Sequence, residues 1–152
     1  MHNFEKILDK YIKKDRINHA YLIETNDNNR IEIAKKLINK ILSFNEGNNI
    51  ENLNNSFDLE IIKTEAQSIK KEEILQLKEK FKTKSVYNSK RIYIIEEAEK
   101  LNSSSANTLL KFLEEPEENI IAILISKNRN LVLETIVSRC QIIRYYLKES
   151  DL

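Results

Sequence analysis

The 152 residues predict an α/β domain built on a five-stranded parallel sheet with helices on both faces. Three observations lead there. Five short apolar runs alternate strictly with stretches of helical period. One run, residues 120–126 (IIAILIS), is almost wholly apolar, which suits a central strand covered on both sides. The length is enough for one domain with a sizeable core and too short for two.

Along the chain, Asn3 is placed to cap a first helix reaching about residue 14, with Phe4, Ile7, Leu8, Tyr11 and Ile12 on one face. Residues 20–24 (AYLIE) read as a short buried strand. A helix over 31–43 follows, carrying Ile31, Ala34, Leu37, Ile38, Ile41 and Leu42 on one side. The stretch 44–56 is polar and Asn-rich, a loop or excursion. Residues 59–63 read as the second strand, 71–81 as a helix with Ile74, Leu77 and Phe81 inward, and 91–96 (RIYIIE) as the third strand. Asn102 or Ser103 caps a helix bearing Ala106, Leu109, Leu110 and Leu113, and Pro116 marks its end. After the fourth strand at 120–126, a short helix through Val137 leads to a last strand at 141–145. The sequence stops there, an odd place for a natural protein to end, so we expect a domain excised from a longer chain.

Composition bounds the function. Apolar residues make up 41% of the sequence, which fits a globular protein. Acids and bases nearly cancel, 24 against 25, so nucleic-acid binding would need a local patch. The Lys- and Arg-rich stretch 78–91, with Phe81 and Tyr87 inside it, is the one candidate for such a patch; its plain reading is a solvated helix end and loop. A lone cysteine, Cys140, rules out an internal disulfide and multi-cysteine zinc, and suits a reducing cytosol. No window approaches the roughly 20 apolar residues of a membrane span, and no signal-peptide pattern opens the chain.

In a parallel sheet of this kind, ligands bind beyond the carboxyl ends of the strands. A nucleotide site there needs glycines after the first strand so that amides can surround phosphates, a Lys to reach them, and a Ser or Thr for magnesium. The turn actually reads Thr25-Asn26-Asp27-Asn28-Asn29-Arg30-Ile31-Glu32: no glycine, no lysine, and two acids where phosphate charge would sit. Arg30 is the only substitute cation, and the plain reading is an ordinary strand-to-helix turn. The third strand runs into Glu96 and Glu97, a Walker-B-like arrangement in which the first acid serves magnesium and the second orients water. With Glu in the first position they read as relics of a metal site. Neither His2 nor His19 joins a Ser–His–Asp or Cys–His set, and Cys140 reads as a small core side chain. No metal and no cofactor are expected.

Three segments carry a resemblance. Asn18-His19-Ala20-Tyr21-Leu22 resembles the entry to the first strand of clamp-loader ATPases. The run from Leu101 to Pro116 (LNSSSANTLLKFLEEP) is similar to their N-x-x-[SA]-A-N-A-L-L-K-x-L-E-E-P helix. Thr135-Ile136-Val137-Ser138-Arg139-Cys140-Gln141 resembles their T-I-x-S-R-C-Q segment. The resemblance covers about residues 4–146 and implies a RecA-like AAA+ core from the bacterial DNA polymerase III clamp loader, without the helical lid and collar that follow it in the family. Motor subunits of the family keep an intact phosphate loop, and the delta-prime type has a degenerate one, so the turn at 25–32 points to that branch. Many relatives carry a cysteine-ligated zinc module after the second helix; residues 44–58 here contain no cysteine.

What the resemblance implies is a cytoplasmic, non-motor subunit with no cofactor of its own. Its partners would be the motor (gamma/tau) and delta subunits, and through the complex the sliding clamp and primed DNA. Arg139 would act as an arginine finger in a neighbour's ATP site, flanked by Ser138 and Cys140, and Ser126 falls where the family's sensor residue sits. Two alternatives remain at this point: an active motor ATPase, for which the glycines and lysine are missing, and an adaptor using the fold only for protein contacts, for which Arg139 has no evident use.

Overall fold

A computed structural model describes residues 2–44, 57–82 and 90–151. Five helices and five strands alternate in them: α1 (His2–Tyr11), β1 (Ala20–Thr25), α2 (Arg30–Ser43), β2 (Phe57–Ile62), α3 (Lys71–Lys80), β3 (Lys90–Ile95), α4 (Ser103–Glu114), β4 (Ile120–Ser126), α5 (Glu134–Val137) and β5 (Gln141–Tyr145). All strand pairings are parallel, in the order β2-β3-β4-β1-β5. The chain leaves β1 for the far edge at β2, returns through β3 and β4, and passes over β1 to β5. The carboxyl ends of β3, β4 and β1 therefore stand side by side at the switch in strand order.

Two apolar layers sandwich the sheet. Phe4, Leu8 and Ile12 join Leu37, Ile38 and Ile41 of α2 over one face; Ile74 and Leu77 of α3 join Leu109 and Leu113 of α4 over the other. The strands feed both by alternation: Tyr21 and Ile23 of β1 face the first layer, Ala20 and Leu22 the second. Every residue of β4 is buried, as its apolar run requires. Each fully buried Leu or Ile contributes about 1.5–3 kcal/mol by leaving water.

The differences from the sequence reading lie at element ends. α1 starts at His2, so Asn3 lies in its first turn instead of capping it, and the helix stops at Tyr11, where the Lys13 ammonium caps the Asp9 carbonyl at 2.7 Å. β2 begins at Phe57, and β2 and β3 each end one residue early. Glu96 leaves the ladder for a turn, its amide reaching back to the Ile62 carbonyl at 3.2 Å. Asn102 is the cap of α4: its side chain accepts from the Ser105 amide at 2.9 Å, and the Ser105 hydroxyl accepts from the Asn102 amide at 3.0 Å. Residues 45–56 of the Asn-rich excursion and residues 83–89 of the basic run at 78–91 lie outside the described residues.

Candidate functional site

Beyond β1, the turn is closed by its own side chains. The Asp27 amide donates to Thr25 Oγ1 at 3.0 Å, and the Asn29 amide donates to Asp27 Oδ1 at 2.9 Å. A carboxylate thus takes an amide at the entrance of α2, where an anion would otherwise be attracted. The Asn26 amide group pairs with the Leu147 backbone in both directions, at 3.0 and 2.7 Å, and fastens the turn to the segment after β5.

Arg30, first residue of α2, crosses to the end of β3. Its Nη1 donates to the Glu96 carbonyl at 2.9 Å and to Glu99 Oε1 at 2.8 Å. Glu99 also accepts from the Ser126 hydroxyl at 3.1 Å and the Lys127 amide at 2.9 Å. The pair is largely buried, with 14% of the Arg30 and 13% of the Glu99 side chain exposed. Burial works to raise the Glu99 carboxyl, but Arg30, the Lys127 amide and Ser126 outweigh it and hold the group below the usual range. One ion pair thus joins α2, the β3 turn and the end of β4.

The structure brings Arg30 and Ser126 together, through Glu99. Glu96 takes part by its carbonyl; its carboxylate lies 3.8 Å from the Lys63 ammonium. Glu97 instead pairs with Lys100 at 3.3 Å. Sequence reasoning missed Glu99, which lies 69 residues from Arg30 and has no local signature. It also missed Glu24, a buried acid that accepts from the Arg129 amide at 2.7 Å and pairs with Arg144 at 3.1 Å. Among the described residues, no group of three or more His, Cys, Asp or Glu is placed to hold a metal ion. A hollow of about 800 Å³ lies between the start of α4 and residues 129–134; neither Arg30, Glu99 nor Arg139 lines it.

Arg139 sits elsewhere. It follows α5 and is separated from β5 by Cys140, so it lies at the amino end of the sheet. Strands of five to seven residues set it about 15–20 Å from the Arg30 cluster along the strand direction. Its Nη2 contacts Glu114 Oε1, at the end of α4, at 2.8 Å; Nη1 donates to the Thr135 carbonyl at 2.9 Å and to Ser138 Oγ at 3.3 Å. About a third of the side chain is exposed (36%). Next to it, burial pushes the Cys140 thiol up to about 12, so this cysteine is a protonated packing group. His19 is exposed, and its carbonyl accepts from the Ala122 amide at 2.8 Å.

A family model described as DNA polymerase III, delta subunit, matches residues 1–148. The chain is 37% identical over 147 residues to the DNA polymerase III subunit delta' of Bacillus subtilis, covering 90% of this chain and 44% of that protein. It is 29% identical over 146 residues to the same organism's subunit tau, covering 90% and 26%. The crystal structure of a DNA polymerase III gamma subunit-related protein from Thermotoga maritima superposes with a TM-score of 0.63 at 19% identity, covering 99% of this chain and 47% of the other, and shares the fold. The chain spans less than half the length of each of these proteins. With a family match over almost its whole length, this chain belongs to the DNA polymerase III delta subunit family.

Proposed function

We propose that this chain is the AAA+ core of a non-motor clamp-loader subunit, which helps place the sliding clamp on primed DNA and supplies Arg139 in trans to the ATP site of a neighbouring motor subunit. The observation that carries the reading is the separation of Arg139 from the chain's own strand-end turn. An arginine at the amino end of the sheet has no route to a nucleotide at the carboxyl end of the same sheet, and as the centre of a Ser-Arg-Cys segment it keeps a partly exposed side chain. Arginine suits the task because it stays charged and presents a rigid fork of donors to a phosphoryl group. The chain's own site is read as inactive. Asp27 brings negative charge to the amides of the turn, and Arg30 is held by Glu99, both of which oppose a triphosphate. Partners in this reading are the gamma/tau and delta subunits, in the cytoplasm, with lid and collar domains belonging to the rest of the subunit.

Substitution of the finger in the assembled loader tests this. Arg139→Ala should leave assembly intact on a sizing column while hydrolysis at the served site, stimulated by clamp and primed DNA, collapses. Arginine fingers are worth roughly 10³–10⁵ in rate in the strongest cases. Total turnover falls less, because other motor sites have their own arginines, and Arg139→Lys rescues poorly. An assembled Arg139→Ala complex that hydrolyses ATP like the wild type would reduce the subunit to a scaffold.

A further inference from the structure

We propose that Glu114 is a positioning residue for Arg139, holding the guanidinium across the junction of α4 and α5 with two donors left over for a partner's anionic oxygens. The inference rests on the trans role of Arg139 given above and adds a second residue to it. An arginine has five N–H donors and a long, mobile stem. Here the Thr135 carbonyl, the Ser138 hydroxyl and the Glu114 carboxylate commit three donors, at 2.9, 3.3 and 2.8 Å. Among the described residues two donors remain, which is the number a phosphate needs for bidentate binding.

The three holding groups come from two stretches of chain, the end of α4 and the segment from α5 to the residue after it. Thr135 lies in α5 and Ser138 directly follows it, so they restrain the guanidinium from its own local chain. Glu114 is the last residue of α4, 25 residues away, and is the contact that registers the side chain against the body of the domain. The Glu114 side chain is 43% exposed and that of Arg139 36%, so the pair is accessible and not locked in the core. Orienting an arginine before its partner arrives lowers the entropy lost on contact, and the gain appears in the rate of the step it assists.

The test is a double-mutant cycle in the assembled complex, with hydrolysis followed in a single turnover at the served ATP site. Glu114→Ala should slow that step about two- to fivefold, the scale of an exposed ion pair, with the concentration of ATP for half-maximal rate unmoved. Glu114→Gln, which keeps an acceptor oxygen and loses the charge, should fall between wild type and Glu114→Ala. Combined with Arg139→Ala, the Glu114 substitution should cost nothing further, since its effect runs through the arginine. Two results overturn the proposal while leaving the trans role standing: a Glu114→Ala complex as fast as the wild type, or a loss that adds in full to that of Arg139→Ala. If Arg139→Ala alone leaves hydrolysis unchanged, the trans role itself fails, and this proposal with it.

Discussion

Asp27 supplies one carboxylate at the entrance of α2, and the partly buried Cys140 supplies one thiol beside Arg139; in each case the surroundings decide what the group does. Asp27 is 5% exposed and is satisfied by the Asn29 amide, so it acts as a built-in anion for the turn. Cys140 has no such partner charge, and desolvation alone raises its thiol to about 12. A thiol so protonated is a poor nucleophile at neutral pH. In the native protein at pH 8, reaction with a disulfide reagent should run about a hundredfold or more slower than in denaturant. Immediate reaction would mean that the segment after α5 opens freely. The sequence carried the cysteine's packing role plainly, since Cys140 abuts an apolar strand. It did not carry the role of Glu114, which stands inside the quoted helix motif: its partner is 25 residues on, and no spacing rule reaches across two elements that meet only after the sheet has formed.

At the scale of elements, the telling feature is that α2, the β3 turn and the end of β4 are joined by a side-chain pair. Helix and strand identities were legible because each follows from local period, and Asn102 announced α4 by its capping pattern. Strand order and the Arg30–Glu99 contact were not, because both depend on crossovers that local period does not encode. Removing one partner of so enclosed a pair leaves the other charge uncompensated. Glu99→Ala should therefore cost about 2–3 kcal/mol in denaturant titration. Replacing both, Arg30→Met with Glu99→Leu, should recover most of that. The pH dependence has a definite sign. Glu99 titrates lower folded than unfolded, so the unfolded chain takes up the proton first as pH falls. Its contribution is complete above the unfolded carboxyl range, about 4.3, and is lost as pH drops from there through the folded value. Stability of Glu99→Gln should lack that part of the acid slope; an unchanged slope would show that Glu99 is not held by Arg30 in solution.

Across the whole molecule, one sheet serves two apolar layers, and this sets how the protein should come apart. The β4 side chains alternate between them: Ile121, Ile123 and Ile125 belong to the layer under α1 and α2, Ala122 and Leu124 to the layer under α3 and α4. Its neighbours β1 and β3 are shared in the same way, Ile92 and Ile94 facing the first layer, Tyr93 and Ile95 the second. Neither layer can lose its helices without exposing strands that also floor the other, so the two should unfold together. Leu37 of α2 and Leu109 of α4 are both fully buried, on opposite faces. Leu37→Ala and Leu109→Ala should each lower global stability by about 2–5 kcal/mol, the range for emptying a core leucine site. Helical circular dichroism and tyrosine fluorescence should report coincident transitions in the wild type and in both variants, since a cavity on one face weakens the common sheet. If Leu109→Ala produced an early transition confined to one probe, with the remainder melting as in the wild type, the layers would be separate cooperative units. The helices of the α4 face, which hold Glu114 against Arg139, would then open independently of the Arg30–Glu99 end of the sheet.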